Sequence, residues 1–176
     1  ELKNCKVDEI KKKLHERLTI KTDNSTELGN TLHQLLYIKD RTYFIRQVEK
    51  SEAFNKLGIN KPEFLKNTEL FNNWLNSNYN IEKAYHELSM EVEIGSQLAK
   101  GETDLVLETN IGLILIDYKS YAGTDDVTNS SGDYFAGKYS GQLDLYAKML
   151  EKTFDNKKVI QKLIYYVVQG KIVELK

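Results

Sequence analysis

Cysteine, proline and tryptophan occur once each in 176 residues. Cys5 alone builds neither an internal disulfide nor a cysteine-rich metal cluster, so an intracellular, reducing home in the cytoplasm is expected. No apolar run reaches the roughly 20 residues of a membrane span, and no secretory leader is visible, so no membrane partner is expected. An excess of one charge is missing too: 25 Lys and Arg stand against 26 Asp and Glu, a formal net charge of −1. No global basic field announces a nucleic acid, although a local patch can do that work. There is no Gly-rich phosphate loop and no Ser or Cys triad signature. The chain opens on Glu1 rather than Met, as expected of a domain cut from something longer.

What is present suits one globular domain over residues 1–176, with 40% hydrophobic and 29% charged residues. Apolar spacing predicts a helix over Asn4 to Leu18, through Val7, Ile10, Leu14 and Leu18. A polar break at Thr22 to Thr26 caps further helices from Glu27 to about Val48, with an interruption at Asp40. Asn60-Lys61-Pro62 opens another, and Asn76 to Asn80 reads as a loop. From residue 84 the pattern changes. Strands are predicted over Ala84 to Ile94, Thr103 to Glu108 and Gly112 to Lys119, with a turn at Gly95 to Gly101. A loop over Tyr121 to Lys138, a helix over Tyr139 to Phe154 and strands over Val159 to Val168 and Ile172 to Leu175 follow. Residues 1–80 are thus mainly helical, and 84–176 form the sheet core.

The segment GETDLVLETNIGLILIDYKS, Gly101 to Ser120, carries the chemistry. Asp104 opens one apolar strand, and the next ends in Asp117-Tyr118-Lys119. Alternation turns Asp117 and Lys119 to one face and Tyr118 to the other. Gly112 to Ile116 is apolar on both faces, as in a central strand, so charges at its end need a reason. Two carboxylates suit a hard cation such as Mg²⁺, and a lysine suits developing negative charge. The combination points to phosphodiester chemistry; a solvated surface hairpin is the plain alternative.

Glu91 and Glu93 share a face of the preceding strand, where either could reach a metal or water, or simply meet solvent. His33 follows Gly29 by one helical turn. The glycine lets another backbone or a phosphate come close, and a neutral imidazole can ligate a metal. Read alone, His33 also fits a hydrogen-bonded structural residue. Gln142 and Tyr146 lie one turn apart on a helix and offer a polar edge to a sugar-phosphate or to a lysine; alternatively Tyr146 is core and Gln142 its exposed neighbour.

Taken in order, these residues resemble the PD-(D/E)XK nuclease superfamily, and most of all the RecB/AddA-type nuclease domain of bacterial helicase–nuclease subunits. Gly29 to His33 matches G-x-x-x-H. Glu91 best matches the strand glutamate. Gly101 to Asp104 matches G-x-x-D, Asp117-Tyr118-Lys119 matches D-Y-K, and Gln142 with Tyr146 matches Q-x-x-x-Y. Ser120 departs from the Thr of many relatives.

The resemblance implies an α/β fold, a central mixed β-sheet flanked by helices (a restriction-endonuclease-like core) with a helical N-terminal part. It implies Asp104, Asp117, the Tyr118 carbonyl and His33 as ligands of Mg²⁺, with Mn²⁺ able to substitute. Lys119 would act on water or phosphate, with Glu91, Gln142 and Tyr146 supporting. It implies no iron–sulfur cluster, since Cys5 stands alone. DNA is the implied partner, with helicase domains on the same longer chain and a second helicase–nuclease subunit. The implied activity is exonucleolytic hydrolysis of DNA in end processing and double-strand break repair. The alternatives are an inactive nuclease fold kept for DNA binding or scaffolding, and a standalone exonuclease of phage or CRISPR type.

Overall fold

A computed structural model describes residues 7–127 and 136–175, with side chains from Lys12 onward. Six strands form one sheet in the order β1-β6-β5-β4-β3-β2. They are β1 (Val7–Lys13), β2 (Ile81–Ile94), β3 (Gln97–Thr109), β4 (Leu113–Lys119), β5 (Val159–Tyr166) and β6 (Lys171–Leu175). Only β4 and β5 run parallel; the remaining pairs are antiparallel, so the sheet is mixed. The parallel pair needs a crossover, which the helix α5 (Ser140–Thr153) supplies.

Four helices precede β2. Asn24 caps α1 (Ser25–Leu36), Asp40 caps α2 (Arg41–Lys50), Ser51 caps α3 (Glu52–Leu57) and Asn60 caps α4 (Lys61–Asn78), each through its side chain. These caps explain the predicted break at Asp40 and the predicted start at Asn60. The short helix α3 has no signal in the apolar spacing.

Helices α1 to α4 cover one face of the sheet, sharing a core with Leu105, Leu107, Ile114, Ile116 and Tyr118. Helix α5 covers the other, sharing a core with Val106, Leu113 and Leu115. Burial of β4 on both faces accounts for its unbroken apolar run. Among the described residues, no helix is long and apolar enough to cross a membrane.

One expectation is overturned. Val7–Lys13 is a strand, not part of a helix, and Asn4 to Lys6 lie outside the described residues. The open edge of β6 decides it, because β1 completes the backbone pairing from Val7 opposite Leu175 to Lys13 opposite Lys171. Its lysines suit an edge strand, where charge discourages further pairing. The helical part is therefore α1 to α4, and the sheet takes its outer strand from the N-terminal end. Several bounds also shift: α4 runs through Asn78, β2 begins at Ile81, β5 ends at Tyr166, and β3 begins at Gln97, so Gly101 lies within a strand.

Candidate active site

The registered pairing of β3 with β4 ends at Leu105 opposite Ile116. The next residues on each strand are Asp104 and Asp117, where the two strands part. Asp104 fills the gap: its Oδ2 accepts the Tyr118 backbone N–H at 2.7 Å, and its Oδ1 accepts the Tyr37 hydroxyl at 2.6 Å. Helix α1 supplies His33, and its C-cap residue, one turn later, is Tyr37. The His33 ring donates from Nδ1 to the Gly29 carbonyl at 2.8 Å and from Nε2 to the Tyr118 carbonyl at 3.0 Å. Two carbonyl partners require a proton on each nitrogen, which is the imidazolium form. His33 Nε2 also lies 3.7 Å from Asp104 Oδ2, an ion-pair contact rather than a hydrogen bond. Gly29 explains the close approach of α1, since a Cβ there would stand 3.0 Å from Ser120 Oγ.

Asp117 is treated differently. The Lys119 ammonium lies 2.9 Å from its Oδ2. This buried oxygen has no polar partner other than that ammonium among the described residues. Lys119 also lies over the Tyr139 ring, 4.3 Å from its centroid.

These environments set the charges. Burial pushes the Asp117 carboxyl up to about 6; Lys119 opposes the rise and the Asp104 charge adds to it. Burial would raise Asp104 as well, but the contacts with His33, the Tyr37 hydroxyl and the Tyr118 amide hold it below the usual carboxylate range. Burial works against charge on His33 and Lys119, yet Asp104 beside the first and Asp117 beside the second raise both. Lys119 is therefore an ammonium at neutral pH.

Asp104, Asp117, Tyr118 and Lys119 line an open cleft of about 610 Å³, together with His33, Tyr37 and Glu87. A more enclosed hollow of about 220 Å³, lined by Leu36, Phe71 and Leu107, contains no acid, so of these two spaces only the cleft offers carboxylates.

Glu87 is not among the residues expected from sequence. The pairs His86 with Leu105 and Leu88 with Thr103 place it opposite Asp104. Its φ of 52° is a left-handed value in the middle of a strand, rare for a side chain of this size. Glu91 lies four residues further on, about 13 Å along β2. It faces Lys100 on the exposed hairpin, 3.3 Å from its ammonium, and does not line the cleft. Tyr37 is likewise absent from the sequence reading; its signal is its place one helical turn after His33.

Gln142 and Tyr146 are brought together, with Gln142 Nε2 donating to the Tyr146 hydroxyl at 3.1 Å. Neither lines the cleft. Instead the Tyr146 ring lies on β3 at Gly101, where a Cβ would fall 2.6 Å from Cε1. The G-x-x-D spacing thus joins a helix-docking glycine to the acid three residues later.

A family model for the PD-(D/E)XK nuclease superfamily matches residues 8–175. This chain belongs to that superfamily. Among curated relatives, the A-type subunit of the ATP-dependent helicase/nuclease of Thermoanaerobacter sp. (strain X514) is 37% identical over 90 residues, covering 51% of this chain and 7% of that protein. The protein of the same name from Lactobacillus johnsonii is 38% identical over 76 residues, covering 43% and 6%. This chain thus spans less than a tenth of the length of these relatives. The crystal structure of SSO0001 matches at 17% identity and a TM-score of 0.35, over 89% of this chain and 68% of that one, a likeness too slight to carry an argument. PD-(D/E)XK nucleases generally use divalent metal ions. Among the described residues no group of three His, Cys, Asp or Glu side chains is already gathered as a metal cage. The donors present nevertheless fit a hard cation: a buried Asp117 oxygen partnered only by the Lys119 ammonium, the Asp104 carboxylate and the Tyr118 carbonyl.

Proposed function

We propose that this PD-(D/E)XK domain hydrolyses phosphodiester bonds in DNA as the nuclease part of a longer helicase–nuclease polypeptide. It would act as an exonuclease on DNA ends during double-strand break repair in the cytoplasm, alongside a second subunit. The observation that carries the reading is the buried Asp117 oxygen, partnered only by the Lys119 ammonium, in a cleft that Asp104 also lines.

Asp104, Asp117 and the Tyr118 carbonyl would hold Mg²⁺, or Mn²⁺ in its place. A cation there supplies a more acidic water and neutralises charge on the phosphate. His33 joins the ligands only by giving up its Nε2 proton and its bond to Tyr118. Lys119 remains protonated, so its part is to neutralise the charge developing on phosphate oxygens rather than to remove a proton. Tyr37 fixes the rotamer of Asp104. Glu87, opposite Asp104 on the cleft wall, is placed to orient water. Gln142 and Tyr146 hold α5 against β3 and act through the strand.

The test is cleavage of end-labelled single- and double-stranded DNA with Mg²⁺, Mn²⁺ or EDTA, beside Asp117→Ala. Metal-dependent cleavage absent from the variant supports the reading, and the product ladder gives the polarity. Equal cleavage by both proteins removes the site assignment.

A further inference from the structure

Strand registers set a row of side chains across the sheet. Lys119 on β4 stands beside Tyr166 on β5, Tyr166 beside Lys171 on β6, and Lys171 beside Lys13 on β1. Paired residues point to one face, here the one covered by α5. With strands about 4.8 Å apart, the row runs about 14 Å from Lys119 to Lys13. Tyr166 is its buried floor.

Two lysines directly opposite each other repel, so the pairing of Lys13 with Lys171 costs stability unless an anion joins them. Glu16 offsets Lys13 at 3.0 Å. Arg17 then adds another cation, and Lys13, Arg17 and Lys171 line one hollow of about 190 Å³ together with Glu16, three cations to one carboxylate. Among the described residues neither Arg17 nor Lys171 has a carboxylate at ion-pair distance. The hollow is braced: Arg17 donates to the Gly123 carbonyl at 3.1 Å, and Gln169 donates to the same carbonyl at 2.8 Å.

This hollow connects to the cleft. A hollow of about 260 Å³ shares Lys119 and Ser120 with the cleft and Gly123 with the cationic hollow, and Tyr121 and Tyr139 line it. The Tyr121 ring, its hydroxyl donating to Asp125 at 2.6 Å, and the Tyr139 ring, which carries Lys119 over one face, set aromatic surface beside the cations, and that suits a strand whose bases can stack, which a duplex does not offer. At about 3.4 Å per stacked nucleotide, the row accommodates about four.

We propose that a single DNA strand lies along this row, with Lys171 and Arg17 holding phosphates about three to four nucleotides from the bond attacked beside Lys119. The proposal rests on the nuclease reading of the cleft.

Binding of a fluorescent twelve-nucleotide oligo-dT in EDTA, read by anisotropy, tests the track without turnover. The full chain is compared with Lys171→Gln, with Lys13→Glu/Lys171→Glu, and with Lys50→Glu on α2 as a charge control outside the row. The double variant is expected to bind at least about tenfold more weakly, with a log–log salt slope shallower by about 0.7 for each phosphate no longer neutralised. Lys50→Glu is expected to bind as the parent does. Lys171→Gln relieves the lysine–lysine repulsion, so it is expected to bind more weakly while melting no lower than the parent. Unchanged affinity in the double variant, equal weakening by Lys50→Glu, tighter binding of a duplex than of the single strand, or no binding by the parent would each overturn the track. A chain that binds through the row yet leaves DNA uncut in Mg²⁺ and Mn²⁺ sinks the nuclease reading and keeps the track.

Discussion

The end of β3 and the end of β4 carry the same functional group in opposite conditions. Asp104, on β3, is buried among donors: a tyrosine hydroxyl, a backbone amide and an imidazolium. Its charge is stabilised by the fold, and its carboxyl is held low. Asp117, on β4, is equally buried but is served only by one ammonium, and its carboxyl is pushed up to about 6. The difference teaches that β3 presents a pre-oriented anion, while β4 presents an anion still short of a partner. A site that must recruit a cation needs both: one carboxylate fixed in place, and one whose desolvation the cation relieves.

The largest expected effect breaks the comparison at β4. Asp117→Ala is expected to lower cleavage of linear DNA by at least about a thousandfold, as loss of a major electrostatic partner does. Asp117→Asn should also abolish cleavage, yet raise stability at neutral pH. The sign follows from the protons bound. Folded Asp117 keeps its proton up to about pH 6, whereas an unfolded aspartate loses it near 4. The folded state binds more protons in that window, so this stabilising contribution is full below the unfolded value and gone above the folded one. Removing the charge should recover up to about 3 kcal/mol in metal-free protein at neutral pH, and denaturant melts across pH measure it. Binding of Mg²⁺ to the metal-free protein should weaken below about pH 6, where Asp117 holds its proton and the cation must displace it.

Lys119→Ala sharpens the same end. Binding of Mg²⁺ by calorimetry should persist, while turnover falls about a hundredfold or more. Loss of metal binding in this variant would mean that the lysine holds Asp117 in place rather than serving the phosphate.

At β3 the effects are smaller. Tyr37→Phe removes one of the donors to Asp104 and should cost about 1–2 kcal/mol of stability. Because the depressed Asp104 carboxyl contributes stability above its unfolded value and loses it as pH falls through the folded value, the variant should also acid-unfold at higher pH than the parent. An unchanged acid limb would show that the amide of Tyr118 suffices.

The smallest effect separates two glutamates of β2. Glu87→Gln is expected to slow cleavage. Glu91→Gln, on an exposed pair with Lys100, should change neither cleavage nor stability by more than about 0.5 kcal/mol. The reverse ranking would return the strand glutamate to Glu91.

The hairpin and its acids are legible in the sequence because they depend on local rules. An apolar run bounded by turns marks a central strand, and alternation sets Asp117 beside Lys119 on one face. The caps at Asn24, Asp40 and Asn60 are legible for the same reason. Glu87 is not, because Glu87, Glu91 and Glu93 share one strand and one face parity, and only the register with β3 selects among them. Val7–Lys13 misleads because Val7, Ile10 and Leu14 satisfy helical spacing, while the free edge of β6 lies more than 150 residues away in the chain.

Apolar period and capping residues by themselves determined the succession of most elements and the acids and lysine of the hairpin, since each rests on neighbours within a few residues, and the ordered motifs carried the resemblance that implied the α/β class. Tertiary structure alone decided how charge is distributed among those groups. The parting of β3 from β4 let Asp104 reach the Tyr118 amide, the close approach of α1 brought His33 and Tyr37 to that carboxylate, and burial beside a single ammonium left Asp117 raised. Protonation depends on desolvation and on partners distant in sequence, and neither exists until the chain has packed.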